Sequence, residues 1–140
     1  MSGNVDLVRS IRAPWENGDF SSAEWAHPEI EFGWVDGPTP GSWTGVAAMG
    51  EANRSFVSAW EEFRTEADEY HELDDERVLV LVHFSGRGKT SGLDLGEMRA
   101  KGAELFQIRG GKVTSLVLYF DRKRALADLG LTSNASSPGT

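Results

Sequence analysis

Gly110 and Gly111 lie between one strand pattern that ends at Arg109 and another that runs from Val113 to Asp121, and they predict a two-residue hairpin. With that turn Arg109 faces Lys112, Glu104 faces Val117 and Tyr119 faces Gly102. Alternation then puts Met98, Ala100, Gly102, Glu104, Phe106 and Ile108 on one face with Val113, Ser115, Val117, Tyr119 and Asp121. Two carboxylates and a phenol share a face that is otherwise apolar or small. An acid there is costly when ionised, so it must be paired, hydrogen-bonded or protonated. Glu104 reads either as an acid of raised pKa that donates to a substrate oxygen or acts as a general base, or as a carboxylate satisfied by Tyr119 or a nearby cation.

Three further groups belong to the same chemistry. Asp121 is a second acid for the site, or, the favoured reading, the N-cap of the helix that follows. His83 closes the apolar strand Val78 to Phe84 on the parity of Leu79 and Leu81, as a proton shuttle or a structural histidine. Tyr119 would orient the acids. The five tryptophans, Trp15, Trp25, Trp34, Trp43 and Trp60, all lie in the first 60 residues. With Phe56, Met98, Phe106 and Val117 they either line a pocket for a flat apolar ring or are simply core, the simpler reading.

Other chemistries find little footing. Three dispersed histidines, His27, His71 and His83, with no paired spacing argue against a metal site. No cysteine means no disulfide, thiolate zinc site or cysteine nucleophile. Gly86-x-Gly88 before Lys89-Thr90 lacks phosphate-loop spacing and is expected to precede a strand. A net charge of −8 repels phosphate backbones and anionic lipid, so neither nucleic acid nor a membrane is an expected partner. No apolar run is long enough to span a bilayer, and the first residues lack the pattern of a signal peptide, so a cytoplasmic location is expected.

The elements that must position these groups follow from periodicity. Leu7, Val8, Ile11 and Trp15 predict a first helix, stopped at Asn17-Gly18-Asp19. A second short helix is expected over Phe20 to Ala26, ended by His27-Pro28, followed by a strand through Ile30, Phe32 and Trp34. Asp36 to Gly41 reads as a loop. Thr44 is the expected cap of a long helix to about Phe63, with Val46, Met49, Phe56, Val57 and Trp60 on its apolar stripe. Strands follow from Arg64, with a turn at Asp74 to Glu76, and a closing helix spans Arg122 to Leu129 with Gly130 at its end. Residues 132–140 are small and polar and are expected to be disordered. The order implies one α+β domain over residues 5–131: a cone-shaped two-layer fold, its strongly curved antiparallel sheet wrapped around a long helix, with two shorter N-terminal helices. Its pocket would take a small apolar or aromatic molecule. The opposite hairpin face, with Leu105, Leu116, Leu118 and Phe120, is apolar enough to suggest a homodimer.

Several short motifs together carry a family resemblance. They are Asn17-Gly18-Asp19, His27-Pro28-Glu29-Ile30-Glu31-Phe32, Trp43-Thr44-Gly45, Leu105 to Val113 and Tyr119-Phe120-Asp121, with Ala125-Leu126 and Leu129-Gly130-Leu131 after them. In order and spacing the chain resembles the SnoaL-like group of the nuclear transport factor 2-like superfamily. The resemblance implies a cone-like fold, frequent homodimers packed through the sheet, and a pocket that some members, such as ketosteroid isomerases, polyketide cyclases and limonene epoxide hydrolases, use for catalysis. It implies that Glu104 sits where isomerase-like members hold an enolate-bonding acid, and Asp121 where cyclase-like members have a last-strand acid. It also implies departures. The isomerase's base and tyrosine fall near Gly33 and Ile11, neither of which can do that work, and the bracketed arginine of an epoxide hydrolase is not recognisable, though Arg87 or Arg99 could enter the pocket. The expected activity is therefore either acid–base chemistry without a cofactor on an apolar carbonyl-type substrate, as an isomerase, cyclase or hydrolase, or ligand binding or dimeric assembly without chemistry.

Overall fold

Val5, Val8, Ile11, Arg12 and Trp15 recur every three or four residues and form the buried face of α1 (Gly3–Glu16) in a computed structural model, which describes residues 3–20, 22–36, 40–58, 60–88 and 97–131. The helix stops as its sequence predicts. Gly18 takes φ +85°, its N–H donates to the Trp15 carbonyl, and the Asp19 N–H donates to that of Pro14, the double bond of a Schellman cap.

No helix follows. The chain makes only a turn, with Ala26 N–H donating to the Ala23 carbonyl and Trp25 Nε1 to that of Ser22, before β1 (Ala26–Trp34) begins. Among the described residues of Phe20 to Ala26 the expected helix is therefore absent. Seven residues recover little of the cost of nucleating a helix, and here Phe20 and Trp25 instead fold back onto Trp15. Next come β2 (Gly41–Thr44), α2 (Val46–Ser58), β3 (Trp60–Glu72), β4 (Arg77–Gly88), β5 (Glu97–Arg109), β6 (Lys112–Tyr119) and α3 (Arg122–Asp128). Helix α2 is shorter than expected, because Trp60 already pairs with Gly88 and the strand wins over the helical stripe. Thr44 is not its cap: its hydroxyl donates to Glu31 on β1.

The strands form one curved mixed sheet in the order β2-β1-β6-β5-β4-β3. From β3 to β6 it is the expected antiparallel meander. The all-antiparallel expectation fails at β1, which runs parallel to β6. The loop Asp36 to Gly41 is described only at Asp36, Pro40 and Gly41. Residues 89–96 and the tail from Thr132 lie outside the described residues.

The sheet's two faces build two apolar clusters. Ile30, Phe32, Trp34, Val78, Val80, Val82, Phe84, Phe106, Val113, Leu116 and Leu118 face α1 and α2. Leu79, Leu81, Ala103, Tyr119 and, in part, Leu105 and Val117 face α3. The hairpin turns at Gly110 and Gly111, with φ +59° and +79°, and Arg109 pairs with Lys112 as expected. A bulge then shifts the register between Ile108 and Gln107. Beyond it Glu104 pairs with Leu118 and Tyr119 with Ala103, one residue from the expected partners. A one-residue shift sends every later side chain of β6 to the other face. Leu116, Leu118 and Phe120 thus join the inner cluster rather than an outer dimer face, while Val117 and Tyr119 leave the face of Glu104.

Candidate functional site

The concave side of the sheet, the C-terminal end of α1, the turn after it and α2 together enclose a cavity of about 870 Å³. Its walls are mostly aromatic and aliphatic: Trp15, Phe20, Trp25, Phe32, Trp34, Phe56, Phe63, Phe84, Leu116 and Leu118. Asp19 and Ser22 come from the turn after α1, Glu51, Asn53 and Arg54 from α2, and Thr65 and Glu104 from the sheet. That is the usual make-up of a small-molecule site, an apolar enclosure with a few polar groups.

Glu104 is 3% exposed, and its position on β5 follows from strand alternation with Phe106 and Ile108. Its Oε1 accepts a 2.9 Å hydrogen bond from Nε of Arg12, whose side chain is wholly buried. Arg12 is held on three sides. Nη2 donates to Thr65 Oγ1 at 2.6 Å and Nη1 to Glu16 Oε2 at 3.1 Å, and the same Glu16 oxygen accepts from the Ala67 N–H. One cation is thus shared by two carboxylates. Burial pushes the Glu104 carboxyl above its ordinary range. Arg12 pulls it down by less, and Glu16 adds a smaller push upward. A carboxylate offers about four lone-pair sites, and the Arg12 Nε bond uses one, so Glu104 can serve both Arg12 and a molecule in the cavity.

Of the four residues assigned to catalysis from sequence, only Glu104 reaches this cavity. Tyr119 lies on the opposite face beneath α3, where burial, and then Asp128, raise its phenol. Asp121 is the N-cap of α3, its carboxylate accepting from the Lys123 N–H at 3.0 Å. His83 also lies on the far face, where its Nδ1 is 2.8 Å from Asp68 Oδ1. Asp68 in turn accepts from Arg122 at 2.6 Å, and Arg122 donates to the carbonyls of Val82 and Gly102. This cluster ties α3 to the back of the sheet.

The expected pocket residues divide similarly. Trp15, Trp25, Trp34 and Phe56 line the cavity. Trp43 packs against Phe32 from edge strand β2, Trp60 stands beside Phe56 without lining the cavity, and Phe106 is wholly buried against Trp15. Val117 faces outward, and the side chain of Met98 lies outside the described residues, as does that of Arg99. Arg87 is exposed on β4 and does not line the cavity. At the two departures, Ile11 is core, and a side chain at Gly33 would press on the Gly41 carbonyl at 3.0 Å. Arg12 is the cation beside Glu104 that the sequence left unnamed. The signal was Arg12's place on the apolar stripe of α1, four residues after Val8 and three before Trp15.

Among the described residues no three His, Asp or Glu side chains are placed to hold a metal, and no helix is long and apolar enough to cross a membrane.

No protein-family model matches the sequence, and no curated protein matches it significantly. Solved structures do match. An NTF2-like protein of Burkholderia thailandensis superposes with TM-score 0.75 at 18% identity, covering 99% of this chain and 100% of that one. A Catenulispora acidiphila protein of ketosteroid isomerase-like fold, in complex with trimethylamine, gives TM-score 0.69 at 15% identity, covering 92% and 95%. TerC co-crystallised with polyporic acid gives TM-score 0.69 at 20% identity, covering 93% and 98%. At such identities these likenesses establish the fold, the one that the SnoaL-like resemblance implies, and leave the activity to the site.

Proposed function

We propose that this protein binds a small, flat, largely apolar molecule in the cavity of the sheet, with the Glu104 carboxyl as its polar anchor. The observation that carries this reading is the burial of Glu104 on the wall of an aromatic cavity, paired with Arg12 on one oxygen. Two structures of the same fold hold small organic molecules, trimethylamine in one and polyporic acid in the other, which supports the use of such a cavity for ligands.

A second reading is acid–base catalysis on a carbonyl-type substrate. It is favoured by the raised proton affinity that burial gives Glu104. A partner of different proton affinity would have to come from the cavity rim, since Tyr119, Asp121 and His83 lie elsewhere. Binding therefore ranks first. A homodimer belongs to this proposal as well, through the outer face around Leu105 and Val117, and sedimentation showing a monomer at micromolar concentration overturns that part.

The test is tryptophan fluorescence, titrating the protein with hydrophobic phenols and ketones, beside Glu104→Gln and Val57→Trp, which narrows the cavity from α2. Saturable quenching that weakens in both variants supports the reading. Quenching that neither variant changes sinks it. Hydrogen–deuterium exchange at the α-carbon of a bound ketone, lost in Glu104→Gln, would promote the catalytic reading.

A further inference from the structure

Trp34 is 6% exposed and lines the cavity, yet its indole Nε1 has no hydrogen-bond partner. Its ring neighbours are Phe56 at 4.6 Å, Phe120 at 5.5 Å and Phe84 at 5.8 Å, none of which offers a conventional acceptor. Buried polar groups almost always find a partner, and an indole N–H is satisfied only by an acceptor. A donor left orphaned beside a cavity points to an acceptor that arrives from outside the chain.

The sheet register says how this donor stands to Glu104. Trp34 pairs with Leu118 across β1 and β6, and Leu118 pairs with Glu104 across β6 and β5. The three residues form one row, and all of them line the cavity. Neighbouring strands are about 4.8 Å apart, so the Trp34 and Glu104 backbones are separated by about 10 Å with Leu118 between them. That row is apolar in the middle and polar at both ends. At one end the group can only donate, and at the other a carboxyl holds free lone pairs.

We infer that the cavity selects a flat molecule with two polar ends, lying across Leu118, whose acceptor oxygen takes the Trp34 Nε1 hydrogen bond while a hydroxyl at its far end is held by Glu104. The inference rests on the reading of the cavity as a ligand site, and it makes Trp34 the residue that discriminates a carbonyl or ether from a hydrocarbon at that end. Nε1 is shielded from solvent. The oxygen therefore reaches it as a neighbouring ring shifts, and Phe56, which lines the cavity from α2, is the ring on a helix rather than on the sheet.

The experiment uses the full chain labelled with nitrogen-15 at its indoles, the Trp34 signal being assigned with Trp34→Phe. If that variant fails to fold, a benzothienylalanine at position 34 keeps the ring shape and removes the N–H. Three bicyclic probes are titrated: a hydroxytetralone with its carbonyl and hydroxyl on opposite rings, the tetralone without the hydroxyl, and the tetrahydronaphthol without the carbonyl. The Trp34 Hε1 resonance is expected to move downfield with the two carbonyl-bearing probes and not with the naphthol. Glu104→Gln is expected to weaken the hydroxyl-bearing probes about tenfold and the plain tetralone little, tenfold being about 1.4 kcal/mol. If all three probes bind and Trp34 Hε1 responds to them alike, or shows a persistent contact to water that they leave unchanged, the inference fails while the cavity reading stands. If no probe binds, both fall together.

Discussion

Arg12 and Glu104 lie 92 positions apart in the chain and meet at 2.9 Å inside the protein, the arginine on the apolar stripe of a helix and the glutamate on the concave face of the sheet. The pair fixes α1 against the sheet where the cavity has its polar wall. With Glu16 also on Arg12, the cluster carries one cation between two carboxylates. Burial, which Arg12 offsets only in part and Glu16 slightly reinforces, is why Glu104 holds a proton more tightly than a free glutamate.

Removing only the cation should leave Glu104 buried and uncompensated. Arg12→Met is expected to destabilise the fold by about 3–5 kcal/mol, the cost of breaking a buried ion pair from one side. The double variant Arg12→Met with Glu104→Leu should recover a large part of it. Urea denaturation of the wild type, Arg12→Met and the double variant checks this, and equal losses in the single and double variants would mean that packing of the arginine stem, not charge, dominates.

The pH dependence has a definite sign. The folded pKa of Glu104 is raised above its ordinary 4.5, so the folded protein binds more protons at this group than the unfolded chain does. Its contribution to stability is fully present below that ordinary value and is lost as pH rises through the folded pKa. Relative to Glu104→Gln, the wild type is expected to lose stability as the pH is raised above about 4.5. Urea midpoints of both proteins from acid to neutral pH measure it, and a stability of wild type relative to Glu104→Gln that rises with pH contradicts the assignment.

Much of the fold was legible because its signals are local. The Gly18 and Gly130 helix stops, the Gly110-Gly111 turn and the run Val78 to Phe84 each declare themselves within a few residues. The site was less legible because its register is not local. The β6 bulge leaves no mark in the alternation of Val113 to Asp121, yet it moves Tyr119 and Val117 away from Glu104 and brings Leu116 and Leu118 to it. The short helix expected after Asp19 failed for a related reason, since the contacts of Phe20 and Trp25 with Trp15 outweigh their helical spacing. Arg12 was on the right face throughout, but only the tertiary fold shows which carboxylate it meets.

Gly102 on β5 lies tight against the backbone at the Tyr119 end of β6. A Cβ there would overlap the Tyr119 carbonyl oxygen and come within 2.6 Å of Phe84 Cε2. One of these contacts is backbone and cannot turn aside. Gly102→Ala is therefore expected to cost about 1–3 kcal/mol, an overpacking penalty, and to disturb the hairpin that carries Glu104. Thermal denaturation with near-ultraviolet circular dichroism reads both effects, and an unchanged melting curve would show that the strands separate freely at this point.

Arg122 is the strap of α3. Its guanidinium donates to the carbonyls of Gly102 and Val82 and to Asp68, joining β5, β4 and β3 to the first residue of the helix. Asp68 is bonded to His83 as well. Burial raises the Asp68 pKa, but its bonds to Arg122 and His83 together outweigh that, and the net shift is downward from 3.8. The sign is opposite to that of Glu104: the stability it gives is present above the ordinary value and is lost as pH falls through the folded pKa. Arg122→Ala should cost about 1–3 kcal/mol, because two carbonyls lose their donor, and should speed hydrogen exchange in α3 more than in α1. The advantage of wild type over Asp68→Asn should be constant near neutrality and shrink as the pH falls below about 4. Exchange that rises equally in both helices would show that Arg122 supports the whole fold rather than strapping down α3.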